Sequence, residues 1–312
     1  MQLPGGRTMT GTLFEYAPGR QAFVAGGTSL KKCAILLGGL SDGLLACPYY
    51  PALCERLERD GWATVQPVLR SSYHAFGFGS LDADVADLRE LVASLRGVDE
   101  FALVGHSTGS QIAAHFVGGG GGDGRVTAVV FQGGVSDRET DDVDERKRRG
   151  PFLKAAAAAV AAGRGGAFLD RDAFWAPMTA RRYLDLVAVG GADDYFSSDL
   201  DDETLAAKFA GFSATSALVA YSAADEYVPP SVDKAALVRR LCAALQSGNA
   251  GRVAGLLVPG GSHNLSTDAA AAPYFVDAVA RFLAGEPLAA AGVLSDTRAG
   301  AREGLQRTTR RT

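Results

Sequence analysis

The sequence is poor in the residues that build metal and redox centres. Its 312 residues include four cysteines and four histidines. Cys33, Cys47, Cys54 and Cys242 form no C-x-x-C pair and no cluster with histidine, so no zinc site is readable. So few thiols do not make a disulfide scaffold, and they fit a reducing compartment. A positive excess is also missing. The 31 Lys and Arg stand against 35 Asp and Glu, a net charge of −4, so nothing overall draws the protein to nucleic acid. No apolar run approaches the roughly 18 residues of a membrane span. The first twenty residues lack the apolar stretch of a signal peptide and the Ser/Arg-rich character of a transit peptide. These absences predict a cytoplasmic protein with no metal, no cofactor, no nucleic-acid partner and no membrane span. Oligomeric state is not legible.

What is present suits a globular enzyme. Hydrophobic residues make up 47% and charged residues 21%, enough for one sizeable core. Short apolar runs alternate with helical patterns. CAILLGG (33–39), WATVQPVL (62–69), FALVGH (101–106), VTAVVFQGG (126–134), SALVAYSA (216–223) and AGLLVPGG (254–261) read as buried strands. Helices are expected within 48–60, 80–97, 110–117, 231–247 and 270–284. Leu81, Val85, Leu88, Leu91, Val92 and Leu95 make the stripe of the second. This alternation predicts right-handed crossovers and a mostly parallel sheet covered on both faces, an α/β fold. TGTLFEYA and QAFVAGG read as a leading edge hairpin.

The alternation breaks between about 138 and 215, which reads as a cap over the active face. It holds the charged run DRETDDVDERKRR and an alanine-rich helix at 153–162. The expected organisation is one domain over 1–290 with this insertion, then a flexible basic tail over 291–312. Arg298, Arg302, Arg307, Arg310 and Arg311 fall in that tail. GGGGGDG (118–124) reads as a flexible turn.

Two stretches match G-x-S-x-G, the pattern of a nucleophile elbow: Gly39-Leu-Ser41-Asp-Gly43 and Gly105-His-Ser107-Thr-Gly109. With 39 glycines the pattern alone is cheap. An elbow needs a helix to start at the serine, so that its first N–H groups face the reacting oxygen. A helical pattern follows Ser107 directly, whereas Pro48 and Pro51 delay it after Ser41. Ser107 is therefore the expected nucleophile. The backbone N–H groups of Leu40 and Thr108 are the expected oxyanion hole.

A serine nucleophile needs a base held in its tautomer by a carboxylate. Of the four histidines, His263 in GGSHNL follows a strand and should emerge at the C-terminal edge of the sheet. His106 should point away from Ser107, His115 lies too far along its helix, and His74 sits on an earlier loop. The acid should follow the preceding strand, where SALVAYSAADEYVP places Asp225, with Glu226 beside it. Asp193 and Asp194 lie in the insertion. Ser107, Asp225 and His263 thus occupy strand ends in the order nucleophile, acid, base.

With these residues in view, the chain resembles the DUF1749 (UPF0613) family of α/β hydrolases, seen in fungi, plants and algae. The matching stretches are LLGGLSDGL (36–44), SSYHAFGFGSLDADVADL (71–88), LVGHSTGSQ (103–111), GADDYFSSDL (191–200), YSAADEYVP (221–229) and GGSHNL (261–266). The resemblance implies an α/β-hydrolase fold, the triad Ser107, Asp225 and His263, and ester hydrolysis, on hydroxamate-siderophore esters in some fungal relatives. The expected partner is a small-molecule ester. Acyl transfer or thioesterase chemistry by the same triad, and a non-catalytic ligand-binding role, are the alternatives. The aromatic residues of DDYFSSD and FWAP are expected to pack the cap on the body, with contact to substrate as the alternative.

Overall fold

Nine strands form one continuous sheet in the order β1-β2-β4-β3-β5-β6-β7-β8-β9. The structure is a computed structural model, described here over residues 6–27, 31–121, 123–289 and 291–297. Strands β1 (Thr12–Ala17) and β2 (Arg20–Ala25) make an antiparallel edge hairpin. The parallel core runs through β4 (Trp62–Pro67), β3 (Lys32–Leu37), β5 (Glu100–His106), β6 (Val126–Gln132), β7 (Ser216–Ser222) and β8 (Val253–Val258). Their near-continuous apolar sequences follow from burial on both faces. Two core clusters lie on either side. One packs Leu88, Leu91, Phe116 and Leu241 against Ile35, Leu103 and Val219; the other packs Leu53, Leu57 and Phe275 against Leu36, Val104 and Leu256.

The helices follow the expected pattern: α1 (Tyr50–Arg59), α2 (Leu81–Ser94), α3 (Thr108–Gly118), α7 (Lys234–Gln246) and α8 (Ala271–Leu283). Ser80 caps α2 by accepting from the Ala83 N–H at 3.2 Å, which satisfies one of the orphan donors of the first turn. Between β6 and β7 lie α4 (Val143–Ala161), a short 3₁₀ turn at Arg171–Ala173, α5 (Ala180–Val187) and α6 (Asp202–Lys208).

Two expectations differ from the structure. The helix expected at 153–162 starts earlier: α4 begins at Val143 and takes in the second half of the charged run, Val143 to Arg149. Asp142 caps the helix through the N–H groups of Asp144 and Glu145, and Glu145 pairs with Arg148 and Arg149, each at 2.7 Å. These local pairs carry the helix through the polar stretch up to and past Pro151. The second difference is at the C-terminus. Val293–Asp296, inside the expected flexible tail, forms β9, antiparallel to β8. A buried pair holds it, with Arg252 Nη2 2.6 Å from Asp296 Oδ2. Arg298, Arg302, Arg307, Arg310 and Arg311 lie outside the described residues. Among the described residues, no helix is long and apolar enough to cross a membrane.

Candidate active site

Ser107 ends β5 and begins α3 with φ 53° and ψ −124°. This is a strained position for a residue with a Cβ, and such strain concentrates at functional sites. The flanking glycines are sterically required. A Cβ on Gly109 would lie 2.7 Å from the Gly38 carbonyl oxygen, and one on Gly105 would overlap the Gly109 carbonyl. The Ser107 N–H is anchored to the Gln132 carbonyl at 2.9 Å. The second match behaves differently. Ser41 also has positive φ, but no helix starts there, and α1 begins only at Tyr50.

The Ser41 loop instead approaches Ser107. A Cβ on Gly39 would sit 2.8 Å from that of Ser107, so only glycine admits this contact. Asp42 Oδ2 accepts the Gly39 N–H at 2.7 Å and folds the loop back on itself. That engages Gly39, and Leu40 is the next residue of the loop to border the cavity above Ser107. Thr108 opens α3, where the first N–H groups have no intrahelical acceptor. Leu40 and Thr108 together border a small cavity of about 20 Å³.

Asp225 follows β7 and His263 follows β8. His263 Nδ1 lies 2.9 Å from Asp225 Oδ2 and 3.1 Å from Oδ1. Asp225 also accepts the Tyr227 N–H at 3.0 Å. Glu226 does not reach the ring. It accepts the His263 backbone N–H at 2.8 Å, while the Gln132 side chain donates to the His263 carbonyl at 2.9 Å. Gly133, at φ 58°, leaves 3.3 Å between a built Cβ and the ring, so a larger residue would crowd the histidine.

The His106 side chain lies among the residues around His263. Its ring lies 4.8 Å from that of His263, and its Nδ1 is 2.6 Å from Gln132 Oε1. Burial, then repulsion from His263, pushes its pKa down to about 3, so it stays neutral. Sequence offered no signal for Gln132, which looks like one more position in an apolar strand. His115 lies away from this cluster, bonded to Asp82 at 2.7 Å and Tyr195 at 2.9 Å.

Ser107, His106 and His263 border one cavity of about 720 Å³. Asp137, Glu139, Phe174, Trp175 and Tyr227 border it too, so segments of the 138–215 insertion form part of its wall. The DDYFSSD block stays outside. Asp193 pairs with buried Arg182 at 2.5 Å, Asp194 pairs with Arg138 at 2.8 Å, and Phe196 packs 5.7 Å from Phe131. Among the described residues, no group of three or more His, Cys, Asp or Glu is arranged to hold a metal ion.

Comparison with known proteins agrees with this architecture. Residues 3–284 match the model of the family described as protein of unknown function (DUF1749). A UPF0613 protein of Schizosaccharomyces pombe is 32% identical over 286 residues, covering 82% of this chain and 90% of that protein. The fusarinine C esterase of Aspergillus fumigatus is 28% identical over 336 residues, covering 85% of this chain and 92% of its own. Among solved structures, the siderophore hydrolase EstB from Aspergillus fumigatus superposes with a TM-score of 0.75 at 26% identity, covering 89% of this chain and 98% of that one. An α/β-hydrolase-fold protein of unknown function reaches a TM-score of 0.63 at 19% identity, over 91% of this chain and 97% of its own, and shows the fold.

Proposed function

Because the chain belongs to the DUF1749 family and has the α/β-hydrolase fold, we propose that it is a serine hydrolase that cleaves a carboxylic ester through Ser107, His263 and Asp225. One observation carries this reading: a strained serine at a helix start shares a cavity with a histidine whose far nitrogen is bonded to a buried carboxylate. Asp225 fixes the tautomer in which His263 Nδ1 carries the proton and Nε2 is a free base. His263 Nε2 takes the hydroxyl proton as Ser107 Oγ attacks the ester carbonyl. The Leu40 and Thr108 N–H groups stabilise the oxyanion. The alcohol leaves with the proton from His263; water, deprotonated by the same ring, then attacks the acyl carbon, and the ring returns that proton to Ser107 Oγ as the acid leaves.

Among the described residues no hydrogen bond joins Ser107 Oγ to His263. Such pairs commonly tighten only when substrate binds. The relatives named as a fusarinine C esterase and a siderophore hydrolase make siderophore esters the first substrates to assay. The volume of the cavity is in the range that encloses a drug-sized ligand.

A fluorophosphonate probe tests the assignment. Wild type and Ser41→Ala should be labelled, and Ser107→Ala should not. Wild-type protein that hydrolyses no ester and takes no label would sink the enzymatic reading. Labelling that persists in Ser107→Ala would move the nucleophile elsewhere.

A further inference from the structure

Two large, exposed aromatic side chains enter the cavity above Ser107 from different parts of the chain. Trp175 is 65% exposed and Tyr227 is 63% exposed, and both border that cavity. Trp175 lies in the insertion, between the 3₁₀ turn Arg171–Ala173 and α5. Tyr227 follows Asp225 by two residues on the loop after β7.

Neither ring is loose. That of Trp175 lies 5.0 Å from buried Phe76 and 5.8 Å from Phe174, which also borders the cavity. That of Tyr227 meets His263 edge-on at 4.7 Å, and its backbone N–H is bonded to Asp225. A ring fixed by its neighbours but left uncovered keeps apolar surface in water, an arrangement that marks a ligand site when it borders a cleft. The contrast within the same insertion is informative. Tyr195 and Phe196 of DDYFSSD are buried in the core, and Phe168, 60% exposed, does not border the cavity.

We infer that Trp175 and Tyr227 are specificity-determining residues that cover a large apolar group of the ester, an extended alkyl chain or an aryl ring. This rests on the reading of Ser107 as the nucleophile, because it places the reacting carbonyl at the foot of the same cavity. Aromatic rings suit the task, since each brings a large apolar face that loses little freedom when covered. Covering them also draws water away from the carbonyl, where the two backbone donors act more strongly in a drier site.

The test compares p-nitrophenyl octanoate with p-nitrophenyl acetate. The octanoate-to-acetate ratio of kcat/KM should fall by about tenfold or more in Trp175→Ala, the size expected for losing several methylene contacts. Phe168→Ala should leave that ratio where wild type has it. An unchanged ratio in Trp175→Ala, with acetate still hydrolysed, overturns this inference and leaves the esterase reading standing.

A second measurement needs no turnover. The chain has only two tryptophans, and Trp62 is 3% exposed beneath the Lys32 amino group. Emission accessible to acrylamide therefore comes from Trp175. Ethyl octanoate added to Ser107→Ala protein should shift that emission to the blue and protect it from quenching. Protection supports the aromatic cover even if no ester is turned over. Full quenching at saturating ligand refutes it.

Discussion

The side-chain amide of Gln132 donates to the backbone carbonyl of His263 across 2.9 Å. Its other end accepts the Tyr49 hydroxyl at 3.1 Å and lies 2.6 Å from His106 Nδ1. Gln132 is fully buried at the last position of β6, so a rigid strand holds the loop that carries the histidine. Glu226 holds the same residue from its N–H and Asp225 from its ring. Replacing Gln132 with Met keeps the volume and removes the donor. A misplaced base by about 1 Å costs roughly 100-fold, so Gln132→Met should lower ester kcat by about 10- to 100-fold with a smaller effect on KM. Steady-state kinetics across pH would check this. A loss confined to KM, or an unchanged kcat, would mean the amide does not position the histidine.

The succession of strands and helices along the chain was legible because a parallel sheet repeats its signals: apolar run, tight turn, helix. Asp225 and His263 stand at two strand ends, and the structure brings them into contact. Gln132 was not legible, because a polar residue in an apolar run shows its role only through partners at positions 49, 106 and 263. β9 was missed because four residues carry little periodicity and their anchor, Arg252, lies 44 positions earlier. The FWAP and DDYFSSD aromatics looked alike in sequence. They separate in space because Arg182 and Arg138 tie Asp193 and Asp194 into the body and carry Tyr195 and Phe196 into the core, while Trp175 lies on the cavity wall.

Gly109 in the elbow and Gly61 in the turn between α1 and β4 predict a contrast between strain and collision. A Cβ on Gly109 would press on the carbonyls of Leu37 and Gly38, both backbone, so nothing flexible can yield. Gly61 has φ 85° but no atom within 4 Å of a built Cβ. Gly61→Ala should therefore cost about 1 kcal/mol, the penalty for positive φ alone. Gly109→Ala should cost several times that, about 3 kcal/mol or more, in line with overpacking against unyielding neighbours. Urea unfolding of both variants measures the difference. Equal midpoints would show that the elbow relaxes freely.

Asp42 shapes the loop that carries Leu40. Its carboxylate takes the Gly39 N–H at 2.7 Å, and the Asp42 N–H returns to the Gly39 carbonyl at 3.0 Å. Burial pushes its pKa above the usual carboxylate range, while the Gly39 N–H pulls the other way. In Asp42→Ala the loop loses its internal brace and Leu40 its fixed direction. The loss of kcat should be smaller than the roughly 100- to 1,000-fold that follows outright removal of an oxyanion donor. About tenfold is expected, with fluorophosphonate labelling slowed but not abolished. Labelling at the wild-type rate would remove Leu40 from the oxyanion hole.

Asp137 should make stability depend on pH. It borders the cavity and accepts from Gln111 Nε2 at 3.1 Å. Burial first, then repulsion from Asp193, raises its carboxyl from 3.8 to about 7, against the pull of Arg182, His263 and Arg149. A raised folded-state pKa means that the native protein holds this proton more tightly than the unfolded chain does. Between about pH 4 and 7 the native state therefore binds more protons, and the stability this contributes is lost as pH rises through 7. Asp137→Asn keeps an acceptor for Gln111 and cannot ionise. Relative to wild type, it should gain more stability at pH 8.5 than at pH 5, by about 3 kcal/mol at most at roughly 1.4 kcal/mol per pH unit. Exposure of the carboxyl to the cavity lowers that figure. Urea midpoints of the two proteins at both pH values measure it, and a difference that does not change with pH would show that Asp137 ionises as an ordinary surface carboxylate.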